Sequence, residues 1–343
     1  MAECILRDGT VILDYGRPYI ISEVNSSHNG SMELAKQMID ASVDIGCDCV
    51  KFQSWSVSSL YSKTYYDANP ISKRFVKKFS MATEQLKELA NYCSEKGISF
   101  SSTPYSEEEV DFLVEECNVP YIKIASMEIN NPRFLRYIGK KHVPIILSTG
   151  MSTFDEVDEA VNVLHNVGVE QMVILHCVSV YPTKLINVNL MNILGLRDRF
   201  SMHPIGFSDH TEGDVAAVAA VALGAGVIEK HLTLDKSKVG MDNGMATEPS
   251  EFTALVSKCR DIQIAMGSKE RVLIQQELDQ RKNMRRSIVS TRDIMAGEII
   301  AECDLYAKRP GIGIAPNRTD NIIGKKAIKD IEADTVILQE DII

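Results

Sequence analysis

The sequence predicts an α/β fold, a (β/α)8 TIM barrel followed by a small β-rich domain. Eight short apolar runs alternate with helical patterns between residues 18 and 267, and such alternation implies parallel strands joined by right-handed crossovers. The number of repeats and a span of about 250 residues both match a closed barrel. Charged residues follow the apolar runs directly, most clearly within 206–211 and 226–233. An open doubly wound sheet is the alternative, because periodicity alone does not show closure.

The elements follow one another from the first residue. Residues 1–17 are predicted to form a hairpin extension, because two apolar runs flank the turn dipeptide Asp8-Gly9. The barrel strands are predicted at 19–23, 49–53, 98–102, 121–124, 144–147, 172–176, 205–207 and 227–228. The helical patterns are at 31–45, 83–93, 106–117, 131–139, 153–167, 211–225 and 249–266. A longer excursion separates the second strand from its helix.

The composition changes after the last barrel helix. Residues 268–285 are highly charged and helix-like, which indicates a linker, and 286–343 are β-rich with several turn signals. A segment of this size has a marginal core of its own. We therefore expect it to dock on a barrel or on a partner subunit.

Composition also argues against several classes of partner. A net charge of −10 and a pI of about 5.3 disfavour nucleic acid and anionic membranes. The first residues lack a basic stretch followed by an apolar one, so no secretory signal is expected, and no run nears the roughly 18 apolar residues of a membrane span. Eight cysteines are scattered without a C-x-x-C pair. Reduced thiols in a cytoplasm are therefore expected.

Polar side chains follow the apolar runs in a pattern that predicts a functional site. If the barrel closes, the carboxyl ends of its strands meet at one rim, where barrel enzymes carry their chemistry. The candidates are Glu23, Lys51, Gln53, Thr103, Lys123, Ser126, Glu128, Ser148, Tyr181, Asp209, His210, Glu229 and His231. Side chains alternate along a strand, so Glu229 and His231 should share the inner face while Lys230 points toward the helices.

The lysines and hydroxyls among these candidates suit an anion. Lys51 and Lys123 supply compact positive charge, and Ser148 with the backbone N–H groups after it adds donors for a phosphate or carboxylate. Alternatively, the lysines form buried ion pairs with Glu23 and Glu128, and the two interpretations are compatible when no ligand is bound. Glu128 among hydroxyls is also a candidate general acid or base if its pKa is raised.

Two histidines leave neighbouring strands and predict a metal site. A single histidine at a strand end more often makes a structural hydrogen bond, but His210 and His231 together can share one divalent ion. Asp209 has two interpretations beside His210. Its carboxylate either orients the imidazole for a purely structural role, or hydrogen-bonds to the imidazole while that ring binds the metal.

In their order and spacing, the motifs resemble those of the sialic acid synthase family, the bacterial nonulosonic acid synthases. The similarity covers about residues 18–343. The matching motifs are 28–30 (HNG), 50–53 (VKFQ), 102–104 (STP), 123–126 (KIAS) with Glu128, 147–151 (LSTGM), 181–183 (YPT), 206–211 (GFSDHT) and 228–231 (IEKH). The tail, including 308–313 (KRPGIG), is similar to the antifreeze-like (SAF) domain that ends these enzymes.

This resemblance implies a TIM barrel and an SAF domain in a domain-swapped homodimer. It also implies a transferase reaction that condenses phosphoenolpyruvate with an N-acylated hexosamine to give a nine-carbon 2-keto acid and inorganic phosphate. A divalent metal, Mn²⁺ or alternatively Mg²⁺ or Co²⁺, would be held by His210 and His231 and would polarise the sugar aldehyde.

The resemblance further assigns roles to single residues. Phosphoenolpyruvate would be bound at Lys51, Gln53, Lys123, Ser126 and Ser148, with Thr103, Tyr181 and Asp209 completing the substrate contacts. Glu128 would move the proton at carbon 2, and Glu23 would lie on the sugar or metal side. Arg309 would reach across the dimer to the acyl group of the sugar.

Three places depart from the usual pattern of that family, namely Ser27, Ser179 and 240–243 (GMDN). They face the sugar more than phosphoenolpyruvate, so the acceptor stays open between N-acetylmannosamine and a 2,4-diacetamido-2,4,6-trideoxyhexose. Two other functions are alternatives. One is a related barrel enzyme that joins phosphoenolpyruvate to another aldose or aldose phosphate, and the other is a non-catalytic sugar-binding relative.

Overall fold

The computed structural model of the protein describes residues 2–343, and the chain divides after Gly267 into two units. The strands of the first unit are β1 (Glu3–Ile5), β2 (Val11–Leu13), β3 (Tyr19–Glu23), β4 (Cys49–Gln53), β5 (Ser99–Thr103), β6 (Ile122–Ile124), β7 (Ile145–Ser148), β8 (Met172–Cys177), β9 (Ile205–Asp209) and β10 (Val227–His231). Its helices are α1 (Met32–Ile45), α2 (Lys63–Ala68), α3 (Pro70–Phe79), α4 (Thr83–Lys96), α5 (Glu107–Asp111), α6 (Pro132–Gly139), α7 (Phe154–His165), α8 (Asn192–Arg199), α9 (Val215–Ala222) and α10 (Pro249–Met266).

Strands β3 to β10 form one parallel sheet in the order β5-β4-β3-β10-β9-β8-β7-β6. The first strand of this series, β3, pairs with the last, β10, in a register that places Glu23 beside His231. The end strands β5 and β6 also lie side by side. In an open doubly wound sheet the last strand lies at an edge, so that alternative is excluded and the predicted (β/α)8 barrel is confirmed.

The main core lies between the barrel strands and the helices around them. Local signals define the helix ends, as in α1, where the Ser31 side chain accepts from the N–H of Leu34 and Gly46 ends the helix at a φ of 83°. Among residues 2–343, no helix combines the length and the apolar character needed to cross a membrane.

Several helices differ from the prediction, and two of them, α2 and α3, lie in the excursion after β4, where no helix is predicted. Helix α9 begins at Val215 rather than at residue 211, because the backbone N–H of Thr211 donates to Asp209 and its carbonyl accepts from Lys230. Helix α8 lies where no helix is predicted. Its middle residue, Gly195, weakens the helical pattern, yet a side chain there would come within 3.1 Å of the Phe154 ring.

The N-terminal hairpin closes the amino end of the barrel. Strands β1 and β2 pair antiparallel, and the hairpin side chains Cys4, Leu6 and Ile12 pack with the first residues of barrel strands, among them Tyr19 and Val227. This cluster is buried inside the ring of strands. The hairpin therefore fills the end opposite to the carboxyl ends of the strands.

The second unit has its own small core. It contains helix α11 (Gln275–Met284) and the antiparallel strands β11 (Ser287–Ser290) and β12 (Leu305–Lys308). Its core is built almost entirely from isoleucines, namely Ile288, Ile294, Ile300, Ile314, Ile322, Ile331, Ile337 and Ile342. The core of this unit thus rests on branched aliphatic side chains spread along the whole segment.

Candidate active site

A pocket of about 340 Å³ opens at the carboxyl ends of the barrel strands. Most of the predicted site residues line it, namely Glu23, Lys51, Gln53, Thr103, Lys123, Ser126, Ser148, Tyr181, His210 and His231. They come from all eight barrel strands or the loops directly after them. The closed barrel therefore brings together side chains that are up to about two hundred residues apart in the chain.

Two buried lysines form the floor of the pocket. Lys51 Nζ donates to Thr103 Oγ1 at 3.1 Å, and Lys123 Nζ donates to Ser148 Oγ at 2.6 Å. Both lysines are at most 3% exposed, and burial lowers the pKa of Lys51 to about 8. Concentrated positive charge beside hydroxyl donors is an arrangement that binds phosphate or carboxylate groups.

Carboxylates share this floor with the lysines. Glu23 forms an ion pair with Lys51, and Glu229 accepts from Ser208 Oγ at 2.9 Å while its other oxygen lies 3.7 Å from Lys51 Nζ. Burial opposes ionisation of Glu229, but the charges of Lys123 and Lys51 outweigh it and hold the pKa of this carboxyl below its usual range. Glu229 is thus an ionised acceptor inside the pocket.

The two predicted metal ligands lie next to each other. The ring centroids of His210 and His231 are 5.4 Å apart. His210 Nδ1 lies 2.8 Å from the carbonyl oxygen of Val178, so this nitrogen carries a proton and Nε2 is the nitrogen left to bind a metal. Burial lowers the pKa of His231 well below its usual value, which keeps that imidazole neutral.

The donor set at this imidazole pair suits a metal with open positions. Among the described residues, no group of three or more His, Cys, Asp or Glu side chains is arranged to hold an ion. The carboxylate of Asp242 is the next donor, with Oδ2 at 4.0 Å from His231 Nδ1. Two imidazoles are appropriate ligands for a divalent transition metal, and the remaining positions would be left for water or substrate.

Three predicted site residues lie elsewhere. Glu128 is half-buried and accepts from Asn131 Nδ2 at 2.8 Å, but it is not among the residues that line the pocket. Burial raises the pKa of its carboxyl, which is the direction that a general acid needs. Its alternative pairing with Lys123 does not form, because the lysine donates to Ser148 and to the Ile124 carbonyl.

Asp209 and Arg309 are the other two. Asp209 is fully buried, faces away from the pocket and pairs with Lys230, so it neither lines the pocket nor orients His210. Lys230 itself points away from the pocket, as predicted. Arg309 is an exposed residue of the second unit, and its proposed contact with the sugar stays a prediction.

The predicted backbone donors after Ser148 are already engaged. The N–H of Thr149 donates to the Leu175 carbonyl, and that of Gly150 donates to Ser126 Oγ at 2.9 Å. A side chain at Gly150 would clash with the hydroxyls of Ser179 and Ser126, so a larger residue would require these side chains to move. Anion binding in the pocket therefore relies on side chains rather than on these two N–H groups.

Several pocket residues were not predicted as site residues, namely Asn25, Trp55, Tyr105, Cys177, Ser179, Ser208 and Asp242. Glu229, which shares a strand face with His231, lines the pocket as predicted. Tyr105 and Asp242 lie in loops, where the alternation of a strand no longer predicts the side toward which a side chain points. Asn25 and Asp242 are hydrogen-bonded to each other across the mouth, which no local pattern reveals.

Models of two protein families match the chain. The NeuB family model matches residues 38–271, and the SAF domain model matches residues 285–343. The first match covers more than half of the chain and includes the strands that carry both lysines and both histidines.

Curated proteins and solved structures with similar sequences agree with these matches. An N,N'-diacetyllegionaminic acid synthase of Campylobacter jejuni is 40% identical over 329 residues, which cover 93% of this chain and 98% of that protein. A pseudaminic acid synthase of the same species is 33% identical over 332 residues, covering 94% and 96%. The crystal structure of an N-acetylneuraminic acid synthetase from Leptospira borgpetersenii in complex with citrate has a TM-score of 0.75 and 29% identity, covering 81% of this chain and 96% of that chain.

Proposed function

The chain belongs to the NeuB family, and from this membership we propose that it condenses phosphoenolpyruvate with an N-acylated hexosamine to give a nine-carbon 2-keto acid and inorganic phosphate. The observation that best supports the proposal is the pairing, within one pocket, of two buried lysines with two adjacent imidazoles. The lysines suit the phosphate and carboxylate of one substrate. The imidazoles suit a metal ion that would activate the aldehyde of the other substrate.

The reaction joins carbon 3 of phosphoenolpyruvate to the aldehyde carbon of the open-chain sugar. The aldehyde oxygen gains a proton, water adds to carbon 2 and loses a proton, and the resulting tetrahedral intermediate expels phosphate. Lys51 and Lys123 would hold the phosphate and carboxylate oxygens throughout, with Gln53, Thr103, Ser126 and Ser148 as further contacts.

Proton transfer needs a carboxylate that is ionised and close to carbon 2. Glu229 is ionised, and its Oε2 has no hydrogen-bond partner, whereas Glu23 is paired with Lys51. Glu229 is therefore our first candidate for the base that takes the proton from water. Glu128 is the second candidate, because its carboxyl has the raised pKa of an acid but lies outside the pocket lining.

We propose that His210 and His231 hold a divalent metal ion, with Mn²⁺ as first choice and Mg²⁺ or Co²⁺ as alternatives. When bound, such an ion supplies a Lewis acid that polarises the aldehyde and a template that orients the sugar. Tyr181, whose ring centroid is 4.2 Å from that of His210, would form the wall beside the sugar.

The acceptor class follows the relatives. Because the legionaminic acid synthase of Campylobacter jejuni is 40% identical to this chain and its named product carries two acetyl groups, we propose a 2,4-diacetamido-2,4,6-trideoxyhexose as first acceptor and N-acetylmannosamine as second. A homodimer in which Arg309 of one subunit reaches the acyl group in the other is part of the same proposal.

The function is tested by incubating the purified protein with phosphoenolpyruvate, Mn²⁺ and a pool of N-acylated hexosamines. Phosphate release together with a product whose mass equals the sugar plus a pyruvate unit would support the proposal. Release of phosphate only with an aldose phosphate would show that the protein catalyses a related condensing reaction instead. Absence of turnover with every acceptor and metal would overturn the proposal.

A further inference from the structure

The side-chain amide of Gln53 is held by two residues that were not predicted to belong to the site. Gln53 is the last residue of β4, and its Oε1 accepts from Trp55 Nε1 at 2.8 Å and from the Tyr105 hydroxyl at 2.9 Å. On the other side of the same amide, Nε2 lies 3.4 Å from Glu23 Oε1. The amide thus bridges an aromatic pair and the carboxylate that is paired with Lys51.

These contacts allow only one orientation of the amide. An indole N–H can donate but not accept, so the atom that faces Trp55 has to be the amide oxygen. Burial raises the pKa of Tyr105 far above its usual value, so its hydroxyl keeps a proton to donate. Rotating the amide by half a turn would place its NH₂ group against the indole donor and its oxygen against the Glu23 carboxylate, which loses two favourable contacts.

Both aromatic donors are themselves fixed by the surrounding structure. Trp55 is 2% exposed and packs with Tyr66, Val76 and Phe79 in a small apolar cluster. This cluster belongs to the excursion between β4 and α4, and the Tyr105 ring packs against it. The backbone N–H of Tyr105 donates to Glu109 Oε2 at 2.6 Å, which anchors the loop after β5.

We propose that Trp55 and Tyr105 are positioning residues that turn the Gln53 amide so that it presents N–H donors, and no acceptor, to the pocket. One N–H points toward Glu23, and the other is left for an oxyanion of the substrate, the carboxylate or phosphate of phosphoenolpyruvate. The inference rests on the proposed function and deepens it. It also gives the excursion between β4 and α4 a purpose, since the excursion supplies Trp55 and the apolar cluster that holds both donors.

Trp55 makes the proposal directly measurable, because it is the single tryptophan of the chain. Its fluorescence should change when phosphoenolpyruvate binds beside Gln53, so a titration yields a dissociation constant without turnover. In Tyr105→Phe the ring keeps its packing and one donor is lost. We expect phosphoenolpyruvate to bind about tenfold more weakly to this variant, with an unchanged melting temperature.

The matched control is Tyr137→Phe, which removes a tyrosine hydroxyl that bonds Asp111 on the outer helices. It should bind phosphoenolpyruvate like the unaltered protein. In Gln53→Glu both aromatic donors keep an acceptor, but an oxygen replaces the NH₂ group. Binding should then weaken by at least about 100-fold, because an added negative charge faces an anionic ligand.

A double-variant cycle separates positioning from a general structural role. If Tyr105 acts through Gln53, adding Tyr105→Phe to Gln53→Ala should cause no further loss of affinity. Equal affinities of Tyr105→Phe and the Tyr137→Phe control would overturn the inference, as would full additivity in the cycle or unimpaired binding by Gln53→Glu.

The failure of the proposed function has a different signature. If the unaltered protein binds phosphoenolpyruvate and the cycle behaves as expected, but no acceptor yields product, the reaction is wrong and the positioning role stands. If product forms and the cycle is additive, only the positioning role is wrong. If the unaltered protein does not bind phosphoenolpyruvate at all, both are wrong.

Discussion

The Nζ of Lys230 lies 2.7 Å from Oδ2 of Asp209, and both side chains are almost fully buried on the side of the sheet that faces the helices. The two residues alternate with the pocket residues of β9 and β10, and Lys230 also donates to the Thr211 carbonyl. The pair therefore ties together the exits of the two strands that carry His210 and His231. It fixes the spacing of the imidazoles without contacting the pocket.

Removing one member of this pair should destabilise the fold. Lys230→Met leaves the Asp209 carboxylate buried without its counter-charge, so the free energy of unfolding should fall by about 3–5 kcal/mol. Urea denaturation at neutral pH measures the change. Lys258→Met, which breaks an exposed pair with Asp214, is the control and should cost less than about 1 kcal/mol. Equal costs for the two variants would contradict the structural role of Lys230.

The imidazole pair should bind the proposed metal. His231→Ala leaves one nitrogen ligand, so we expect loss of stoichiometric Mn²⁺ binding together with most of the activity. Calorimetric titration with Mn²⁺ reads binding independently of turnover. His203→Ala, which alters a histidine outside the pocket, should leave the metal bound. A His231→Ala protein that retains Mn²⁺ at full occupancy would show that the ligand assignment is wrong.

The two carboxyl candidates can be separated by paired substitutions. Glu229→Gln keeps the shape of the side chain but removes the ionised acceptor, so kcat should fall at least about 100-fold. Glu128→Gln should have a smaller effect, since that group lies outside the pocket lining. Steady-state kinetics with saturating substrates measure both. If Glu128→Gln lowers kcat more than Glu229→Gln does, Glu128 is the residue that carries the proton.

Arg309 tests the proposed dimer. Arg309→Ala should raise the KM for the acceptor sugar about tenfold, with the KM for phosphoenolpyruvate unchanged, because only the acyl group would lose a charged partner. Arg318→Ala alters another exposed arginine of the second unit and should change neither constant. A monomer in sedimentation, or an unaffected sugar KM in Arg309→Ala, would argue against the swapped arrangement.

Stability should decline in mild acid. Burial lowers the pKa of both His28 and His203 to about 4, whereas a histidine in an unfolded chain titrates near 6.5. Between about pH 6.5 and 4 the unfolded chain therefore binds more protons than the folded one, so the free energy of unfolding falls as the pH is lowered through this window. His203→Gln removes one of the histidines with a lowered pKa and should flatten the decline, measured by urea midpoints across the window. An identical pH profile would contradict the assignment.

The sequence alone was sufficient to predict the barrel and the face of the strands on which most site residues lie. Strand parity placed Glu229 and His231 inward and Lys230 outward, as the structure confirms. The same rule, applied to β9, would have turned Asp209 away from the pocket, because Ser208 and His210 on either side of it point inward.

Beyond the strand ends, that rule stops working. Glu128 closes a 3-10 turn that begins at Ser126, and Asp242 lies in the loop after β10. Their directions are set by long-range contacts, such as the hydrogen bond between Asn25 and Asp242, which a local pattern does not contain. Helix α8 was not predicted for a similar reason. Its Gly195 packs against the Phe154 ring, a long-range contact that the local sequence pattern does not contain.

The hairpin at the amino end of the barrel limits how small molecules enter and leave the pocket. Cys4, Leu6 and Ile12 stop that end, so small molecules reach the two lysines through the opposite opening. In the proposed reaction, a phosphate ion released at Lys51 and Lys123 would leave through the same opening as the nine-carbon product. The two products would therefore share a single exit path.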